Sequence, residues 1–135
     1  FRFDAAKHIR PRTLKAYVDY IRQMCPDAYI YLEVLSDDPE QHAPFLGWAD
    51  TTDFQYCFGL REAFHQNPIV EPPDVPDRDD NVLFVRNHDT IQNHDFAQSH
   101  GYHVRDPKLP MAWVMLLAQP KGTVLVYPED EGLHK

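Results

Sequence analysis

Three short runs in this chain each end in a carboxylate, and that recurrence constrains its fold more than any other feature. Phe1-Arg2-Phe3 runs into Asp4, Ala28-Tyr29-Ile30-Tyr31-Leu32 into Glu33, and Val82-Leu83-Phe84-Val85-Arg86-Asn87-His88 into Asp89. About 30 residues separate the first acid from the second, the length of one βα unit, and about twice that separates the second from the third. Strands of a parallel sheet present their C-terminal ends on one face. Acids far apart in sequence can therefore converge there, as on the catalytic rim of a β/α barrel.

The intervening sequence fits that reading. Arg10-Pro11 opens a helix in which Leu14, Tyr17, Val18, Ile21 and Met24 recur at helical spacing, and Pro26-Asp27 stops it. Residues 28–35 read as a strand buried on both faces. Ser36-Asp37-Asp38-Pro39 reads as a turn and helix cap, with a short helix over 40–46. A weaker strand is expected over 51–56 and its helix over 58–64. Residues 68–77 carry four of the 12 prolines and read as an extended loop. After the strand at 82–85, residues 90–107 are polar and His-rich, a long βα loop. A helix over 109–118, packing through Met111, Trp113, Val114, Leu116 and Leu117, leads to a last strand over 123–127. The alternation predicts an α/β fold with parallel strands and right-handed crossovers.

A chain of 135 residues can bury a real core. It is too short for a whole (β/α)₈ barrel, which takes roughly 200 residues or more. It also begins in mid-motif at Phe1. The expectation is one partial domain over 1–135, the C-terminal part of a barrel, with the N-terminal half missing.

The net charge of −8 disfavours nucleic acid and anionic membranes, because phosphate binding needs basic clusters. Acidity says nothing against sugars. No apolar stretch is long enough to span a bilayer. No signal peptide is visible, which a mid-motif start makes uninformative. Cys25 and Cys57 have neither metal nor redox spacing and read as two buried small side chains.

The residues around the three acids carry a resemblance. Phe1-Arg2-Phe3-Asp4-Ala5-Ala6-Lys7-His8 resembles the second signature region of the α-amylase superfamily, glycoside hydrolase family 13. Leu32-Glu33-Val34 resembles the third region, and Phe84-Val85-Arg86-Asn87-His88-Asp89 the fourth. All three occur in family order. The resemblance implies that the chain runs from about the fourth barrel strand to the eighth, lacking the first signature region and the inserted second domain. It implies retaining hydrolysis of α-1,4-glucans such as starch, with an α-glucan as partner and an extracellular or secreted setting. By the same resemblance Asp4 is the nucleophile, Glu33 the general acid/base, and Asp89 the third acid. His88 bonds the sugar in the reacting subsite, and Lys7 and His8 contact sugar on the leaving-group side. His8 would also give its main-chain oxygen to calcium. Chloride-activated members have a basic residue on the last strand, where this chain has Val124-Leu125-Val126, so no chloride dependence is expected.

Elementary chemistry supports the division of roles. Arg2 and Asp4 are two apart, so on a strand both point to one face, and the guanidinium favours the ionised nucleophile. Glu33 follows an apolar run with no adjacent base, and desolvation favours the protonated form a general acid needs. Tyr102 and Trp48 are candidates for stacking on sugar, although core packing suits Trp48 better.

Three other readings compete. The run His88, Asp89, His94, Asp95, His100 and His103 could hold zinc or non-haem iron, since imidazole and carboxylate suit both. The chain could belong to an α-glucan transglycosylase of the same family. It could also be an inert carbohydrate-binding fragment. Arg86, before Asn87-His88-Asp89, departs from many amylases and occurs in sucrose- and trehalose-converting relatives. Ala6-Lys7-His8 favours α-amylases and cyclodextrin-forming transferases.

Overall fold

A computed structural model describes residues 1–75, 77–92 and 106–127. Five strands form one sheet: β1 (Arg2–Phe3), β2 (Tyr31–Leu32), β3 (Asp50–Thr52), β4 (Asn81–Leu83) and β5 (Thr123–Val124). Their order in space is their order in sequence, and every neighbouring pair is parallel. A doubly wound sheet reverses its strand order at a switch point. This sheet does not, and its unbroken parallel order is consistent with a barrel fragment.

Between the strands lie α1 (Pro11–Met24), α2 (Pro39–His42), α3 (Phe54–His65), α4 (His88–Gln92) and α5 (Leu109–Leu117), with short 3₁₀ turns at Ala6–His8 and Asp106–Lys108. Pro11 begins α1, where its missing N–H costs nothing. Asp38 caps α2 by accepting from the Glu40 N–H at 3.0 Å, as the turn sequence predicts. The proline-rich stretch lies against α3 without regular structure. A Cβ at Gly59 would sit 2.5 Å from Pro73 Cγ, so only glycine admits that contact.

Several elements differ from their sequence reading. The strand expected over 51–56 ends at Thr52, and α3 starts at Phe54 rather than Phe58. Asp53 is the reason. Its carboxylate accepts from the Tyr56 N–H at 2.8 Å, capping the helix, which periodicity alone does not reveal. Asp53→Ala should therefore cost about 1 kcal/mol of stability, measured by urea unfolding. An unchanged midpoint would mean the cap is inert.

The expected two-sided burial of 28–35 is also corrected. Ile30, Leu32 and Val34 are buried, whereas Tyr29 is exposed and Tyr31 half-buried. The odd-numbered side chains belong to the other sheet face. On α1 only Leu14 and Val18 are buried, while Tyr17 and Met24 of the expected stripe are exposed. On α5 Leu109, Ala112 and Leu116 are buried, with Trp113 and Met115 against them, whereas Met111, Val114 and Leu117 are exposed. These helices flank the two ends of the sheet, so one side of each has no neighbour among the described residues.

The core follows the sheet's helix-covered face. Leu83 and Val85 pack with Tyr56, Leu60 and Phe64 of α3 and Leu109, Ala112 and Leu116 of α5. Leu32 and Val34 pack with Ala6, Leu14 and Phe45. Trp48 packs on that second cluster and donates its indole N–H to the Pro44 carbonyl at 3.0 Å. Lys108 Nζ donates to the carbonyls of Phe64 and Gln66, satisfying the end of α3. Cys57 is buried, its thiol pushed up by desolvation and donating to the Val85 carbonyl at 3.3 Å. Cys25 is exposed, against the expectation, because it lies just past the solvent-facing end of α1. No described helix is long and apolar enough to cross a membrane.

Candidate active site

The pairing of β1 with β2 builds the centre of the site. Arg2 lies opposite Tyr31 and Phe3 opposite Leu32. The Glu33 N–H donates to the Phe3 carbonyl at 2.8 Å, and the Ala6 N–H to the Glu33 carbonyl at 2.9 Å, extending the contact past the strand ends. Ala5 turns the chain with a positive φ of 48° and donates its N–H to Glu33 Oε2 at 3.0 Å.

Arg2 then reaches two acids at once. Its Nη1 is 3.0 Å from Asp4 Oδ1, and its Nη2 is 2.5 Å from Glu33 Oε1. Partial burial works against the charge on Arg2, but Glu33, by charge and hydrogen bond, and Asp4 outweigh it. The guanidinium is held above its ordinary value. The Arg2–Asp4 pair is as expected. The Arg2–Glu33 pair corrects the expectation that Glu33 has no adjacent base. That expectation considered only neighbours along the chain, whereas strand pairing brings β1's arginine alongside β2's glutamate.

The two acids sit in contrasting surroundings. The Asp4 side chain is 72% exposed and that of Glu33 only 7%. Tyr31, two residues before Glu33, shares its face. Burial raises the Tyr31 phenol, Arg2 pulls it back and Glu33 adds to the rise, leaving it above its ordinary value.

The third acid is held by a reciprocal pair that sequence reading passed over. The Thr90 N–H donates to Asn87 Oδ1 at 3.0 Å, and the Asn87 N–H donates to Thr90 Oγ1 at 2.9 Å. This brace sets the start of α4, where His88 and Asp89 stand. The Asn-x-x-Thr spacing resembles a capping box, and that pattern was the available signal. His88 Nε2 lies 3.4 Å from Asp89 Oδ2. One donor atom each from Glu33, His88 and Asp89 fall within 4.8 Å of one another.

A cleft of about 280 Å³ opens over this point, lined by Arg2, Tyr31, Glu33, Thr52, Arg86, Asn87, His88 and Leu125–Tyr127. Tyr31 and Thr52 were not singled out from the sequence. Their signal was the two-residue alternation with Glu33 and the polar Thr52 itself. Lys7 lies elsewhere, with Nζ donating to the Leu35 carbonyl at 2.6 Å, beside a larger groove of about 700 Å³ that includes Asp37, Gln55, Phe58 and Glu62. His8 is exposed in the 3₁₀ turn. Among the described residues, Glu33, His88 and Asp89 form the one metal-capable cluster of His, Cys, Asp or Glu, and none gathers at His8. The alternative ligands His94, Asp95, His100 and His103, together with Tyr102, lie outside the described residues.

A parallel α/β sheet with three acids and an arginine at its strand ends offers groups that can serve acid and nucleophile chemistry. No protein-family profile matches the chain. Curated proteins narrow the class. The chain is 30% identical over 132 residues to an α-amylase of Thermomonospora curvata, covering 91% of this chain and 21% of that protein. It is 30% identical over 106 residues to an α-amylase of Hypothenemus hampei, covering 67% of this chain and 22% of that protein. The chain thus spans about a fifth of the length of the curated relatives it matches. It has an amylase-like relationship, and its likeness is to glycoside hydrolases.

Proposed function

We propose that this segment supplies the catalytic acids of a retaining glycoside hydrolase acting on α-1,4-glucans. The observation that carries the reading is the single guanidinium of Arg2 holding Asp4 and Glu33 together, at 3.0 and 2.5 Å. Two carboxylates within reach of one side chain suit the separation of about 5–5.5 Å used by retaining enzymes. The inverting arrangement needs about 6.5–9.5 Å to admit a water.

In this reading a glucan lies across the cleft. Glu33 protonates the glycosidic oxygen as Asp4 attacks the anomeric carbon, and the leaving chain departs with that proton. Water then attacks the glycosyl-enzyme, giving its proton to Glu33 and its hydroxyl to the sugar, which restores both acids. The exposure of Asp4 suits a group that must meet the sugar. The burial of Glu33 and its bonds to Arg2 and the Ala5 N–H fix the direction from which it meets the glycosidic oxygen. Asp89 and His88 bind hydroxyls of the reacting sugar. Lys7 and His8 serve the leaving-group side. Motifs and geometry both support the roles of Asp4, Glu33 and Asp89, whereas the motif alone supports those of Lys7 and His8.

The reading predicts that the product keeps its anomeric configuration. In an enzyme carrying this segment within a complete barrel, proton NMR of freshly released maltose should show the α-anomer first. An initial β-anomer would remove the nucleophile role from Asp4.

A further inference from the structure

We propose that Glu33, His88 and Asp89 form a chelating site for a zinc-type divalent cation, and that its occupancy blocks the cleft. The binding half stands on the geometry alone. The blocking half rests on the hydrolase reading above.

The donor set is the first argument. It offers one imidazole nitrogen and two carboxylate oxygens, all within 4.8 Å of one another. Zinc binds imidazole and carboxylate at about 2.0–2.2 Å with tetrahedral geometry, which places its donors about 3.3 Å apart. His88 Nε2 and Asp89 Oδ2 already stand at 3.4 Å. The imidazole also decides between metals. Calcium and magnesium take oxygen ligands, whereas nitrogen favours zinc and its first-row neighbours.

The second argument is how the donors are held. Glu33 is 5% exposed, and its two oxygens are already oriented by Arg2 and the Ala5 N–H. Each oxygen keeps a further lone pair. The Asn87–Thr90 brace fixes the backbone that carries His88 and Asp89. Such outer partners are what orient metal ligands in known sites. The cost of gathering the ligands is therefore small.

Charge and space agree with this assignment. Asp4 and Glu33 share the one guanidinium of Arg2, and Asp89 adds a third carboxylate near Glu33, an arrangement that suits a dication. The cleft of about 280 Å³ beside Glu33 and His88 has room for a water molecule. A cation there takes the lone pair on which Glu33 must carry its proton, and it occupies the groups proposed to bind the reacting sugar. Inhibition should be competitive and should be relieved by a chelator.

The test is a calorimetric titration of the chelator-treated chain with zinc chloride, with cobalt(II) chloride as a spectroscopic probe. One equivalent of zinc should bind, and cobalt should show the visible absorption of a tetrahedral site. His88→Asn and Asp89→Asn should each weaken binding by at least about tenfold, the loss that removing even an outer partner can produce. A chain with His94, His100 and His103 all changed to Ala should bind as before, and excess calcium or magnesium should not compete. Unchanged affinity in both single variants, loss of binding in the triple variant, or equal competition by calcium would each overturn the site. Circular dichroism identifies any variant that does not fold, and the remaining variants still decide. Zinc binding without any glucan hydrolysis would leave the site standing and remove the hydrolase reading. Hydrolysis unaffected by zinc, in a protein that does not bind it, would remove this inference alone.

Discussion

Glu33→Gln and Asp4→Asn will each lower kcat on starch by several orders of magnitude in an enzyme that carries this segment within a complete barrel. The fold should stay intact, because both substitutions keep the side-chain volume. A positioned general acid or base contributes about 10²–10⁴-fold to rate. Loss of the nucleophile removes the covalent route altogether, so Asp4→Asn should be the more severe of the two. The substitutions should differ in kind as well as size. An aryl glucoside with an acidic phenol leaving group needs little protonation, so Glu33→Gln should still form the glycosyl-enzyme from it. That intermediate should then accumulate, because no base activates water, and the phenol should appear as a burst. Asp4→Asn should show no burst. Near-normal turnover by either variant, or a burst from Asp4→Asn, would reject the assignment of roles. The contrast on which this rests is structural: one acid is exposed, the other buried, and one arginine is bonded to both.

Phe84→Ala should destabilise the chain by about 3–5 kcal/mol, a large share of a typical domain's 5–15 kcal/mol. Phe84 is fully buried and meets Phe54 edge-on, with ring centroids 5.0 Å apart at 75°. Cys57 completes the cluster, and Leu35, Phe58 and Leu125 pack around it. Truncation would leave a cavity between β4 and α3 that backbone hydrogen bonds on either side prevent from collapsing. One such bond runs from the Asp53 N–H to the Val82 carbonyl at 2.9 Å, another from the Leu125 N–H to the Leu83 carbonyl at 2.8 Å. Val114→Ala on the exposed side of α5 is the control, expected within about 0.5 kcal/mol. Denaturant unfolding of both variants checks the comparison. A Phe84→Ala cost as small as that of Val114→Ala would mean that this cluster is not packed as described.

Much of the architecture was legible because it is local. Pro11, the Asp38-Pro39 cap and the helical run beginning at Leu109 mark helix starts through interactions spanning a few residues, and the structure has helices at all three. The alternation of strands and helices likewise implied a parallel sheet, which the strand pairing bears out. Element ends were less legible. The strand near Thr51 and the start of α3 depend on whether Asp53 extends a strand or caps a helix, and both are locally acceptable. Burial was misjudged at Tyr17, Met24, Met111, Val114 and Leu117, since periodicity shows that a helix has an apolar side without showing what covers it.

For the candidate site, the sequence alone marked out Asp4, Glu33 and Asp89, along with Arg2, Lys7, His8 and His88, through their motifs and their positions after strand-like runs. It could not show which of them meet. Arg2 and Glu33 are 31 residues apart and touch only because β1 and β2 pair with Arg2 opposite Tyr31. Glu33 and Asp89 approach one another through the order of β2, β3 and β4 and the brace between Asn87 and Thr90. Lys7 faces a different groove, although it stands three residues from Asp4. Residue type and local spacing decide which groups can do chemistry. Strand register and the turns that follow decide which of them share a cleft, because those contacts join segments whose separation along the chain carries no record of their distance in space.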